Sequence, residues 1–244
     1  MKIIIITLSL LYGLLSILNA QNAGFSEGAV GAHGAYSQLS MQSLKDISAT
    51  LGINNFSDDY FFYGGEIIGN LTPLVQLGFR YQTGCNSASA IVERIVDNKT
   101  YKLTRNLRHS ITHYDLTASY KTSISGSLEY YIGGAVGIGT TGLLISQDSG
   151  DQSFAAMLDS YEPGSVSNSL NRSTDFSAWL AFAEAQNGVR LHIRKGMAVG
   201  FAVGYQVGYT FGRGEINYDF ENIDNLPDLD FKAVKYSLGI YFGN

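Results

Sequence analysis

Four residues between positions 109 and 115 carry the side-chain types of a hydrolase: two histidines, a serine and an aspartate. A serine activated by a histidine, which a carboxylate orients in turn, can attack an ester or an amide. In an extended strand, however, His109 and Ser110 point to opposite faces, and Ser110 and His113 also differ. His113 and Asp115 lie on one face of the strand, and Ser110 lies on the other. The spacing therefore predicts no enzymatic activity, and no motif in the sequence indicates a cofactor or a metal site.

A second set of residues is charged and falls on the polar faces of segments that alternate between apolar and polar residues. Charges that face a narrow interior are costly unless they are paired. The set therefore predicts either a network of ion pairs that fills the interior or the lining of a hydrophilic passage. Its members are Glu66, Arg80, Asp115, Glu129, Glu184, Arg190 and Lys235, with His113, Lys121 and His192 on the same side.

The clearest alternation runs over residues 197–212. Its odd positions are large and apolar or aromatic, and its even positions are small or polar, as in a strand with two different faces. Glycine also recurs at every fourth position from Gly196 to Gly212, a spacing found in packed membrane helices. A helix is disfavoured because the uncharged run is shorter than the roughly 20 residues of a helical span and because glycine destabilises helices.

Similar segments recur along the chain and predict eight strands. They cover residues 28–39, 59–69, 74–82, 111–121, 128–141, 176–193, 197–212 and 233–242. The connections alternate between long (40–58, 85–108, 147–174 and 213–230) and short (70–73, 122–125 and 194–196). Short turns at one end and long loops at the other are typical of an up-and-down membrane barrel, with the turns in the periplasm. Counting from the turns places Glu66, Glu129 and Arg190 low in the barrel.

Three local features complete the expected architecture. The Asn187-Gly188 pair is interpreted as a bulge or kink, because a turn there would make the next strand too long for one membrane crossing. Residues 91–96 and 100–107 resemble a β-ribbon with a turn at residues 97–99, and the connection over residues 85–108 that contains it has a local charge of 5 − 2 = +3. Residues 41–52 have the apolar spacing of a short loop helix.

The N-terminus has the pattern of a secretory signal peptide. Lys2 precedes a mostly apolar run over residues 3–18, and Ala20 supplies a small residue for cleavage. We expect residues 1–20 to be removed and residues 21–244 to form a single domain. Without Lys2 the charge is 15 − 21 = −6, and the absence of a basic cluster argues against nucleic-acid binding. The single cysteine, Cys85, excludes an intramolecular disulfide.

Together these features resemble the small outer-membrane β-barrel families of Gram-negative bacteria, of the outer-membrane protein A and X transmembrane type. The likeness lies in the signal peptide, the eight passes, the hairpin of residues 188–205 and the closing strand. That class carries a polar-x-Gly-x-x-aromatic-x-aromatic assembly signal at its end; Ser237, Gly239 and Phe242 fit it, whereas Asn244 occupies the terminal aromatic place.

The resemblance implies an all-β, eight-stranded antiparallel transmembrane barrel in the outer membrane. Its implied partners are outer-membrane lipids, lipopolysaccharide and the barrel-assembly machinery, and it implies no cofactor. We expect a structural or surface-interaction role carried by the loops, with the lumen plugged by ion pairs. The alternative is a small passive channel for ions or small solutes.

Overall fold

The computed structural model describes residues 28–96, 98–149, 172–216, 222–223 and 228–243 of the 244-residue chain. The predicted signal peptide and its cleavage site lie outside the described residues.

Eight long antiparallel strands close into a barrel. The strands are β1 (Gly28–Gln38), β2 (Asp59–Asn70), β3 (Val75–Val96), β4 (Lys99–Ser125), β5 (Leu128–Asp148), β6 (Arg172–Arg194), β7 (Met197–Ile216), the two-residue β8 (Asn222–Ile223) and β9 (Phe231–Gly243). Each long strand pairs with the next along the chain, and β9 pairs with β7 on one side and β1 on the other. Closure leaves no open sheet edge around the ring. The predicted eight-stranded up-and-down barrel is confirmed.

Short connections lie at one end of the barrel, called here the turn end. They comprise residues 71–74, 126–127 and 195–196. Gly196 has a φ of +79°, a conformation that suits glycine in a tight turn. The predicted turn at residues 194–196 is therefore confirmed. The other connections leave the opposite end, called here the loop end.

The predicted bulge at Asn187-Gly188 is wrong. The pairing of β5 with β6 runs through both residues in register, with Tyr131 opposite Gly188 and Ile132 opposite Asn187. A Cβ atom at Gly188 would lie 2.7 Å from the ring of Tyr131, so the glycine makes room for that ring. The Asn-Gly pair therefore reflects side-chain packing in the lumen, and β6 keeps one set of inward residues from Ala178 to Arg190.

Strands β3 and β4 continue well beyond the predicted segments. The sequence predicted a long connection over residues 85–108 that contained a ribbon; the structure has strand on both sides of residues 97 and 98. The register is continuous from Val75 opposite Tyr120 to Val96 opposite Lys99. Strand β2 pairs with β3 only as far as Cys85, whereas β5 pairs with β4 as far as Thr104. Residues 86–96 and 99–109 therefore extend beyond β2, with residues 104–109 still in the barrel wall beside β5, and are called here the β3–β4 ribbon.

The outer wall of the barrel carries large apolar side chains on every long strand. Leu116, at mid-height on β4, is 67% exposed. Other members of this apolar belt are Phe79, Ile132, Val136, Ile138, Phe201, Tyr205, Leu238 and Ile240. A continuous apolar surface of this kind is unfavourable in water and matches the hydrocarbon band of a membrane barrel. The outer wall is therefore a lipid-facing surface.

A helix, α1 (Gln42–Thr50), lies in the connection between β1 and β2, within the residues predicted to be helical. Its one buried apolar side chain, Leu44, faces the loop end of the barrel interior together with Met41 and Ile53. Within the described ranges, no helix has both the length and the apolar character needed to cross a bilayer.

Candidate functional site in the barrel lumen

A network of buried charges occupies the middle of the lumen. Arg80 on β3 donates to Asp115 on β4 at 3.0 Å and to Glu184 on β6 at 2.7 Å. Lys235 on β9 also pairs with Glu184 and donates to Gln82 at 2.9 Å. All four charged side chains are 5% exposed or less. Two cations and two anions from four strands thus neutralise one another across the lumen, with hydrogen bonds that offset their desolvation.

A second charged cluster lies nearer the turn end. Glu129 on β5 contacts Lys121 at 3.3 Å and Arg190 at 3.2 Å. Arg190 also donates to Gln76. This cluster is more open than the central one, because the side chains of Lys121 and Glu129 are 14% and 12% exposed. It lines a cavity of about 230 Å³ that also borders His192 and the small residues of the turn end.

Two tyrosine rings enclose the guanidinium of Arg190. Its Cζ atom lies 4.4 Å from the ring centre of Tyr131 and 4.9 Å from that of Tyr241. Such stacking is favourable for a desolvated guanidinium. The stacked group separates the 230 Å³ cavity from a smaller cavity of about 20 Å³ deeper in the lumen.

Glu66 lies between the two charged clusters. Its carboxylate accepts a hydrogen bond from Thr117 at 3.1 Å and one from Tyr241 at 3.3 Å. Within the described residues, its bonded partners are these two hydroxyl groups, and no ion pair joins it to a cation. Glu66 therefore remains less completely paired than the other carboxylates of the lumen.

All seven sequence-predicted charged residues point into the barrel. Arg80, Asp115, Glu184 and Lys235 meet in the central network, Glu129 and Arg190 form the cluster toward the turn end, and Glu66 lies between them. With Lys121 included, the lumen holds four cationic and four anionic side chains, so their net charge is 4 − 4 = 0. The sequence reasoning missed the uncharged partners Gln76, Gln82, Tyr131 and Tyr241, although each lies on the same face of its strand as the charges.

The outer half of the lumen is filled by apolar side chains. Tyr60, Phe62, Leu107, Ile111 and Leu180 are 3% exposed or less and belong to one packed cluster, called here the apolar plug. Because the plug spans the interior from strand to strand, the loop-end half of the lumen resembles the core of a water-soluble protein.

Phe182 forms the inner boundary of the apolar plug. On β6 it lies between two glycines, Gly137 on β5 and Gly208 on β7. Its ring stacks on that of His113 with the centroids 4.2 Å apart. A Cβ atom at Gly208 would collide with the ring of Phe231 on β9, and one at Gly137 would collide with Asp115 on β4, so each glycine makes room for a residue of a neighbouring strand.

Helix α1 covers the plug at the loop end. Met41, Leu44 and Ile53 are at most 2% exposed and pack into the same cluster. Two polar contacts hold the connection in place, since Lys45 pairs with Asp58 at 2.7 Å and Arg105 donates to the carbonyl of Leu51 at 3.0 Å. The connection between β1 and β2 is therefore part of the interior packing.

The hydrolase-type residues are not assembled into a catalytic group. His109 bonds to Tyr60 and Thr141, both at 2.6 Å, inside the apolar plug. Ser110 lies on the other face of β4, whereas His113 pairs with Asp115 at 2.8 Å. Nowhere in the described part of the chain do three His, Cys, Asp or Glu side chains converge as metal ligands would.

No protein-family model and no curated protein matches this chain. Several solved structures have a similar fold, but their sequence identity to this chain is low. One is Ail, the attachment invasion locus protein of Yersinia pestis, solved with the heparin analogue sucrose octasulfate: 11% identity over 89% of this chain and 98% of Ail, with a TM-score of 0.41.

Two further structures are similar to a comparable degree. A major outer membrane protein of Thermus thermophilus has 10% identity over 89% of this chain and 99% of that protein, with a TM-score of 0.44. The outer membrane protease OmpT of Escherichia coli has 10% identity over 91% of this chain and 98% of that protein, with a TM-score of 0.37. By its closed eight-stranded meander and its apolar belt, the present chain has the fold of the small outer-membrane β-barrels.

Proposed function

We propose that this protein is an integral outer-membrane barrel with a plugged lumen, without enzymatic activity, which acts through its surface at the loop end. The observation that carries the proposal is the filling of the lumen by the apolar plug and the central charge network. The turn end faces the periplasm and the loop end faces the outside, as in other membrane barrels with short and long connections. Residues 21–244 form the single domain of this protein.

The packing opposes the passage of ions at three successive levels. An ion that entered the 230 Å³ cavity would meet the stacked Arg190 and then the paired charges around Arg80. Beyond them it would have to cross the apolar plug, where desolvation of a charge is most costly. Seven predicted charges therefore serve in this proposal as a structural network: Glu66, Arg80, Asp115, Glu129, Glu184, Arg190 and Lys235.

Conductance in a planar lipid bilayer tests the plugged lumen. We expect the refolded protein to insert without steady openings, while a general porin in the same bilayer conducts. Ion-selective openings that disappear in Arg80→Gln or Lys235→Gln would contradict the plug and establish the alternative, a small passive channel.

The β3–β4 ribbon is the surface that we propose for interaction outside the membrane. Arg108 and Lys102 are exposed on its outer face. Arg108 lies opposite Ser87, two positions beyond the end of the β2–β3 pairing, and Lys102 lies opposite Glu93, farther along the ribbon. Ile91 and Ile95 on the same face are each 71% exposed, which is unfavourable in water and typical of a contact surface. Exposed cations on this face favour phosphate groups such as those of lipopolysaccharide.

Binding to purified lipopolysaccharide tests this surface. We expect Lys102→Gln combined with Arg108→Gln to weaken binding and to reduce its sensitivity to salt, because two ionic contacts are lost. The matched control is Arg194→Gln with Lys195→Gln, which removes two exposed cations at the turn end. Equal binding by both double variants and the unmodified protein would contradict the assignment.

Assembly by the outer-membrane barrel machinery is part of the same proposal. Its support is the final strand, where Phe242 lies on the lipid face and Ser237 and Gly239 face inward. Strand β9 closes the ring against β1, so the segment that carries the signal is also the one that completes the barrel.

A further inference from the structure

Several buried side-chain atoms without a hydrogen-bond partner converge on a small cavity inside the lumen. In the described part of the chain, the buried side-chain atoms without a hydrogen-bond partner are both ring nitrogens of His33, Nε2 of Gln82 and Nε of Arg190. All three residues line the cavity of about 20 Å³. Each is at least nine-tenths buried. Buried polar groups that lack partners are rare in folded proteins, so their convergence on one cavity points to a ligand.

The size of the cavity limits what it can hold. A space of roughly 10–15 Å³ accommodates one water molecule, so a cavity of about 20 Å³ holds one small molecule or one monatomic ion. Organic ligands are too large. The open cavity toward the turn end is separated from it by the stacked side chain of Arg190.

The chemistry of the lining distinguishes water from an ion. Arg190 Nε and Gln82 Nε2 are donors, which alone would suit an anion. Glu66, however, also lines the cavity, and its carboxylate has lone pairs left to accept further bonds. The charge of Glu66 balances that of Arg190, whereas Arg80 is neutralised within the central network. A cavity without net charge, lined by both hydrogen-bond donors and acceptors, suits a neutral molecule that both donates and accepts hydrogen bonds.

We propose that this cavity binds one ordered water molecule, which bridges the charged cluster of the turn end to the central network. The water accepts a hydrogen bond from Arg190 or Gln82 and donates one to Glu66 or to the acceptor nitrogen of His33. A water molecule that donates to Glu66 adds a third hydrogen-bond partner to Thr117 and Tyr241. The inference is independent of the proposed function, because a hydrated cavity here is compatible with a closed or a conducting barrel.

A crystal structure of the refolded mature chain grown in sodium bromide tests the proposal. We expect one peak of density in the cavity, at about 2.7–3.2 Å from Arg190 Nε or Gln82 Nε2, without anomalous signal from bromine. An anomalous peak would identify a monatomic anion site and overturn the proposal. A cavity without density would overturn it as well.

Two variants give an independent test. Ser237 lines the cavity, and Ser237→Val replaces its hydroxyl with methyl groups that take up the space of the water. We expect the peak to disappear in this variant and to remain in Ser110→Val, whose side chain lies on the outward face of β4.

His33→Phe removes both unpartnered nitrogens without breaking a hydrogen bond described here. We expect its urea midpoint to be unchanged or lower, and a higher midpoint would show that the cavity is dry.

Discussion

Glu184→Gln is expected to destabilise the folded barrel by roughly 3–5 kcal/mol, the usual cost of removing one partner from a buried ion pair. Glu184 is the anion that Arg80 and Lys235 share, and its side chain is fully buried. Its loss leaves two buried cations with one remaining carboxylate, Asp115. The measurement is equilibrium unfolding in urea of the protein refolded into lipid vesicles, followed by a gel shift or by fluorescence.

Glu129→Gln is the matched control for this prediction. Glu129 also contacts two cations, Lys121 and Arg190, but its side chain borders the open cavity at the turn end. Water can solvate the cations left behind, so a smaller loss of stability is expected. Combining Glu184→Gln with Lys235→Met should recover part of the stability, because one of the unpaired cations is removed as well. Equal effects of the two glutamine variants would show that burial does not determine the strength of the central network.

Leu116→Arg is expected to destabilise the barrel by roughly 2–4 kcal/mol, the cost of an arginine on the lipid face near the middle of the membrane. Leu116 is 67% exposed at mid-height on the apolar belt. The matched control is Ile91→Arg, since Ile91 is 71% exposed but lies on the β3–β4 ribbon beyond the membrane. There the change should alter stability by no more than about 0.5 kcal/mol.

The same unfolding measurement in vesicles compares the two arginine variants. Their side chains are equally exposed, so the difference between them reports the surrounding medium. Similar small effects at both positions would mean that Leu116 does not face hydrocarbon. Similar large effects would mean that the ribbon is embedded or covered.

The alternation of β7 and β9 predicted strands with two different faces, because most of their inward residues are small or polar, with the exceptions of Phe231 and Tyr241, and most of their outward residues are large. The signal is weaker where the lumen is apolar as well. Residues 60–63 are all aromatic, although Tyr60 and Phe62 belong to the plug whereas Phe61 and Tyr63 face outward. Sequence alternation therefore marks the turn-end half of the barrel better than the loop-end half, where both faces are apolar.

The charged residues of the lumen could be predicted because alternate positions of a strand face the same side of the sheet. Their partners could not be predicted in this way. Arg80 and Glu184 lie 104 positions apart on strands that are not neighbours, and their contact depends on the curvature of the whole ring. The role of helix α1 was equally inaccessible, because an amphipathic pattern does not show which surface Leu44 covers. The small cavity depends on distances between side chains of several strands, which no local pattern specifies.

The ladder between β3 and β4 has a mechanical consequence. It continues without a change of register from the membrane to the tip of the ribbon, and at about 3.3 Å per residue the 11 residues from 86 to 96 correspond to roughly 35 Å of strand. A flexible loop would let a bound partner turn freely above the cell surface. A ribbon continuous with the barrel wall would hold any bound partner at a set height and angle, so that a pull on the tip would be transmitted to the membrane-embedded strands.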